Sequence, residues 1–213
     1  MKSENDLGTK VQSYFFALFG YLILLIQQIP GIWIWVPLMA APLFLILGVL
    51  MLNLPASITE LYQHFFCFEE VLIAKILILL SSVVIGYCVI YLGIKKRNGL
   101  VTTGPYRFIR HPQYTGILLL TIGFTAWSYY LITNSFGVGW ISADQTILLW
   151  YLELFTYIGL ALIEEKYLLR KFDAEYNEYR KVTPLLIPFI KAGKWDFVIS
   201  LFIFSLVFSI AIQ

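Results

Sequence analysis

Between Lys10 and Glu60 the chain carries no charged side chain, and that gap restricts the fold of the 213-residue protein more than any other feature. One helical crossing of a hydrocarbon layer about 30 Å thick takes about 20 apolar residues, so the gap holds two crossings joined by a hairpin at Ile29-Pro30-Gly31. Further charge-free runs cover 76–94, 112–143 and 197–213, and the run 145–163 is interrupted only by Glu153. The expected fold class is an all-α integral membrane protein. It has about six transmembrane helices, near 13–29, 35–54, 71–94, 112–133, 145–163 and 196–212, plus a cytosolic amphipathic helix. Composition agrees, because 60% hydrophobic and 13% charged residues with a mean hydropathy of +0.79 lie outside soluble usage.

The first run does not read as a cleavable signal peptide, since residues 1–10 mix charges, no small-residue cleavage site follows, and the apolar stretch continues. Cys67 and Cys88 suit neither a disulfide framework nor a metal site. With no repeats and no long linker, three stretches suffice: N-terminal helices in 1–94, a cofactor-binding region in 95–194, and a C-terminal helix in 195–213.

Of fifteen Lys and Arg residues, five lie in 95–110 and seven in 166–194, leaving Lys2, Lys10 and Lys75 elsewhere. The positive-inside rule places both rich segments in the cytoplasm and both termini opposite, with Lys75 close enough to the far face to snorkel. The net charge of +2 says little by itself, since its distribution is the signal, and no nucleic-acid partner is expected.

The first polar segment, 95–114, carries Lys95, Lys96, Arg97, Arg107 and Arg110, then His111-Pro112. Thr103-Gly104-Pro105 breaks any helix, and Pro112 suits the first position of the next one. Its unpaired amides at Gln113 and Tyr114, with Arg110 and His111 alongside, are expected to hold a carboxylate or phosphate. The same cations suit lipid headgroups.

The second polar segment opens on Glu164-Glu165 at the end of the fifth run. Beyond it Leu168, Phe172, Tyr176 and Tyr179 recur at intervals of four, four and three, which gives an amphipathic helix lying on the membrane or over a cytosolic pocket. Paired carboxylates at a span end need a cation or hydroxyl donors. Glu153 lies deeper and needs the same.

These residues carry a family resemblance. Gly104, Tyr106, Arg110, His111, Pro112, Tyr114 and Gly116, then Glu164-Glu165, then Phe172, Tyr176 and Tyr179 before a Pro-rich end, resemble the isoprenylcysteine carboxyl methyltransferase and phospholipid methyltransferase group of membrane enzymes. The match covers about 95–190. It implies that S-adenosylmethionine binds from the cytosol and that a lipophilic acceptor arrives from the bilayer. The implied cofactor contacts are Asn98, Gly99, Leu100, Val101, Tyr106, His111, Pro112, Gln113, Tyr114, Glu164 and Glu165. Arg110 and Glu153 are the candidate catalytic groups, and no metal is expected. One departure matters: Leu160 and Ala161 stand where isoprenylcysteine methyltransferases carry an arginine for the substrate carboxylate. An amine or thiol acceptor needs no such cation. The rival reading is a membrane sterol or steroid reductase using a nicotinamide cofactor, whose similar Arg-His-Pro-x-Tyr segment is not followed by Glu-Glu.

Overall fold

The computed structural model describes residues 37, 69–96, 99–134, 142–190 and 193–213. Four helices carry the fold: α1 (Leu72–Lys95), α2 (Pro112–Asn134), α3 (Ala143–Val182) and α4 (Asp196–Ala211). Single 3-10 turns, Glu69–Val71, Gly104–Arg107 and Gly193–Trp195, precede three of them. Among the described residues there is no strand.

Helices α1, α2 and α3 are long and apolar enough to cross a membrane, and they coincide with the runs expected at 71–94, 112–133 and 145–163. The run expected at 196–212 does form α4, but 16 residues make a helix of only about 24 Å, short of a perpendicular crossing. The spans expected at 13–29 and 35–54, with the hairpin between them, lie outside the described residues, so six crossings exceed what the described helices supply.

Helix α2 sits at the centre, touching α1, α3 and α4. Its approach to α1 depends on missing side chains: a Cβ added at Gly123 would lie 2.7 Å from the Ala74 carbonyl oxygen, and one at Gly116 would lie 2.6 Å from Ile85 Cγ1. Small residues let membrane helices pack backbone to backbone, where dispersion rather than hydrophobic expulsion holds them together. The outer face of α1 exposes Leu79, Leu80, Val83 and Ile94, a surface suited to lipid tails. On the other side, Trp150 of α3 stacks on Phe208 of α4 with ring centres 4.3 Å apart.

Helix α3 starts at a capping box, in which the Ser142 hydroxyl accepts from the Gln145 amide and the Gln145 side chain accepts from the Ser142 amide. The stretch 143–172 alone measures about 45 Å, longer than the hydrocarbon thickness, so its end must leave the bilayer. The segment expected as an amphipathic helix follows the membrane-spanning part of α3 directly and is broken at Asp173 (φ 39°, ψ −111°). A positive φ falls where Asp is tolerated better than bulky residues.

Candidate functional site

The loop between α1 and α2 folds back over the end of α1. Tyr91 and Thr103 share a hydrogen bond of 2.7 Å. Gly104 takes φ +63°, and a Cβ there would strike the Tyr91 ring at 2.5 Å, so the turn admits only glycine. The Tyr106 hydroxyl donates to Gln113 Oε1 at 3.0 Å, and burial raises its pKa, keeping the proton in that bond. The Tyr179 hydroxyl of α3 donates to the Tyr106 carbonyl at 2.5 Å.

Residues 183–186 close the start of α2. The amides of Arg110 and His111 donate to the carbonyls of Pro184 and Leu185 at 2.9 and 3.2 Å, and the Thr115 hydroxyl donates to the Leu186 carbonyl at 2.7 Å. The Tyr114 amide bonds to the His111 carbonyl at 3.1 Å, which corrects the expectation that it stands unpaired for an anion: the first turn tightens and satisfies it.

Around this point an ion network gathers. Arg110, 6% exposed, pairs with Glu165 and with Asp196 at the start of α4, the latter at 2.9 Å. Glu165 also accepts from the Tyr176 hydroxyl at 3.1 Å and lies 3.6 Å from Arg180 Nε. Glu164 accepts from the Tyr114 hydroxyl at 2.9 Å and lies 3.4 Å from His111 Nδ1. The His111 ring stacks on Tyr114 at 5.4 Å, and its buried Nε2 lies 3.7 Å from Glu165 Oε1.

Burial works against the charged form of His111, but hydrogen bonds to Glu164 and Glu165 and the charge of both carboxylates outweigh it and lift its pKa above the ordinary 6.5. A raised pKa gives stability that is complete below about pH 6.5 and lost as pH climbs through the folded-state value. Purified protein should therefore melt at progressively lower temperature as the buffer moves from pH 6 upward. His111→Gln should flatten that slope, and an unchanged slope would show that another group titrates.

The cleft beside this network holds about 640 Å³ of empty space. It collects Gly99, Leu100, Val101, Tyr106, Arg110, His111, Gln113 and Glu164 from the expected set. Asn98 lies outside the described residues. Pro112, Tyr114 and Glu165 are absent from the cleft wall: Pro112 starts α2, Tyr114 braces Glu164, and Glu165 faces Arg110. Leu168, Phe172, Tyr176 and Tyr179 all line the cleft, together with Leu92, Lys96 and Lys171 that the motif did not indicate. Leu92 had no signal at all in the sequence, since an apolar residue inside an apolar helix looks like any other.

Glu153 is away from the cleft, within α3 and 0% exposed, and neither carboxyl oxygen makes a hydrogen bond among the described residues. Thr121 of α2 faces it but gives its own proton to the Ile117 and Leu118 carbonyls. Among the described residues no group of three or more His, Cys, Asp or Glu side chains could hold a metal ion.

A family model described as phospholipid methyltransferase matches residues 62–175. Cobalt-zinc-cadmium resistance protein CzcN of Cupriavidus metallidurans is 32% identical over 102 residues, covering 48% of this chain and 41% of that protein. Protein-S-isoprenylcysteine O-methyltransferase of Saccharomyces cerevisiae is 35% identical over 91 residues, 43% of this chain and 33% of that one. Protein-S-isoprenylcysteine O-methyltransferase B of Arabidopsis thaliana is 28% identical over 96 residues, 45% and 43% of the two chains. The chain thus spans less than half the length of these curated relatives. No solved structure matches.

Proposed function

The chain belongs to the phospholipid methyltransferase family, and from that premise we propose that it is a membrane methyltransferase that binds S-adenosylmethionine in the cleft and methylates a lipophilic acceptor arriving from the bilayer. The observation that carries this reading is the two-sided character of the cleft. Leu100, Val101 and Tyr106 offer apolar and aromatic surface for an adenine, while Glu164 offers a carboxylate for ribose hydroxyls or an ammonium. The exposed Lys96 in the cleft wall suits the carboxylate of the same cofactor. When bound, S-adenosylmethionine supplies an electrophilic methyl on a sulfonium, with a neutral thioether as leaving group. The chain then needs no general acid; it needs to hold the nucleophile in line in a dry site, which effective-molarity arguments value at about 7–11 kcal/mol. The distribution of cations supports a cleft that opens to the cytoplasm.

Titrating the purified protein with S-adenosylmethionine and with a reduced nicotinamide cofactor tests this reading, and saturable binding of the nicotinamide alone would restore the reductase alternative. Family membership and the Glu164-Glu165 pair both favour the methyl donor.

The acceptor follows from which cations remain available. Leu160 and Ala161 offer none, Arg110 is held by Glu165 and Asp196, and the two lysines that line the cleft, Lys96 and Lys171, are exposed rather than set in the apolar layer. A carboxylate in a low-dielectric slot without a partner is disfavoured by several kcal/mol. The proposed acceptor is therefore an amine or a thiol, with Glu153, about 16 Å along α3 from Glu164, as a group able to meet an amine. Side-by-side assays in liposomes should methylate phosphatidylethanolamine about tenfold faster or more than N-acetyl-S-farnesylcysteine. Efficient methylation of the prenylcysteine would overturn the preference.

A further inference from the structure

A second cavity lies on the other side of Arg110, between the last turns of α3 and the start of α4, with about 740 Å³ of empty space. Arg110, Asn177, Arg180, Lys181, Thr183 and Asp196 form its polar wall. Arg110 stands two residues before α2 and Asp196 opens α4, so the cavity lies where both helices leave the apolar layer, at the depth of lipid headgroups. That placement selects ligands that carry charge.

The charges facing the cavity favour an anion. Arg110 answers the two buried acids, Glu165 and Asp196, and its Nε, buried in the wall, makes no hydrogen bond. The other two cations have only loose partners: Arg180 Nε lies 3.6 Å from Glu165 with its side chain 50% exposed, and Lys181 pairs with Glu178 at 2.6 Å where both are more than 60% exposed. The exposed Lys181–Glu178 pair contributes at most about 1 kcal/mol, so Lys181 can change partner at little cost, while Arg180, half exposed, keeps N–H groups beyond the Nε that faces the buried Glu165. A phosphate carries more charge than a carboxylate, accepts from a guanidinium at two oxygens, and is favoured at the positive end of the α4 dipole. Basic pockets between membrane helices at the cytoplasmic surface commonly take lipid phosphates.

We propose that this cavity binds a phosphate group, either on an anionic lipid headgroup or free in solution, through Arg180 and Lys181 with Arg110 as its inner wall. The site is distinct from the cleft and does not depend on the methyl-transfer reading. The experiment is thermal unfolding of the full chain in phosphatidylcholine nanodiscs, titrated separately with dioleoylphosphatidate and with inorganic phosphate at constant ionic strength. Wild-type protein should be stabilised saturably. The double substitution Arg180→Gln with Lys181→Gln should weaken the half-saturation point about tenfold or more, while Lys166→Gln with Arg170→Gln, an equal charge loss elsewhere on exposed α3, should leave it within about twofold. Stabilisation by the lipid alone assigns the site to headgroups, and equal stabilisation by inorganic phosphate assigns it to the free anion; both support the site. Absence of saturable stabilisation in wild type, or equal weakening in the two double variants, overturns it.

Discussion

Arg110→Ala is expected to cost the protein about 3–5 kcal/mol of stability, the range for removing one partner of a buried ion pair. Arg110, Glu165 and Asp196 have side chains only 3%, 7% and 13% exposed, so deleting the guanidinium leaves two carboxylates in a site with little water to solvate them. It also removes the hydrogen bond that ties the first residue of α4 to the residue two before α2. Denaturant or thermal unfolding in detergent checks the magnitude. Adding Glu165→Gln to Arg110→Ala should recover part of the loss, because one uncompensated charge is then gone. If Arg110→Ala unfolds like wild type and only turnover falls, Arg110 is a substrate-binding cation and the argument against a carboxylate acceptor fails with it.

Glu164→Ala should weaken S-adenosylmethionine binding by about 1.5–3 kcal/mol, roughly 10- to 150-fold, the range for hydrogen bonds to a charged group. Unlike Glu165, Glu164 lines the cleft and has a side chain 38% exposed, so it can reach a ligand as well as Tyr114 and His111. The two neighbours should therefore separate experimentally: Glu164→Ala changes affinity with little loss of stability, whereas Glu165→Ala frees Arg110 and Tyr176 and lowers stability first. Calorimetric titration beside unfolding curves distinguishes them. Unchanged affinity in Glu164→Ala would remove the carboxylate from the cofactor site.

The period of Leu168, Phe172, Tyr176 and Tyr179 shows how far a linear pattern reaches. It grouped the four on one side, and all four line the cleft although the break at Asp173 separates the first two from the last two. It did not establish that the segment prolongs α3, because the break at Asp173 is a backbone event with no counterpart in hydropathy. The Glu-Glu pair behaves in the same way. Adjacent residues on a helix project about 100° apart, so one carboxylate of such a pair turns toward the cleft and the other inward to Arg110, and only the rotation of α3 against α2 decides which.

Charge-free run lengths were enough to place α1, α2 and the start of α3 within a residue or two, because bilayer thickness acts on local sequence, whereas the end of α3 at Val182 was not legible and the cleft residues from Gly99 to Gln113 were indicated by the family resemblance. Tertiary structure alone decided that Arg110 is bound to Asp196, 86 positions away, that residues 183–186 occupy the amides of Arg110 and His111, and that Glu153 faces Thr121 of α2. Pairing of that kind depends on which helix faces are brought together across the interface, and electrostatic attraction over a few ångströms leaves no periodic trace in the chain.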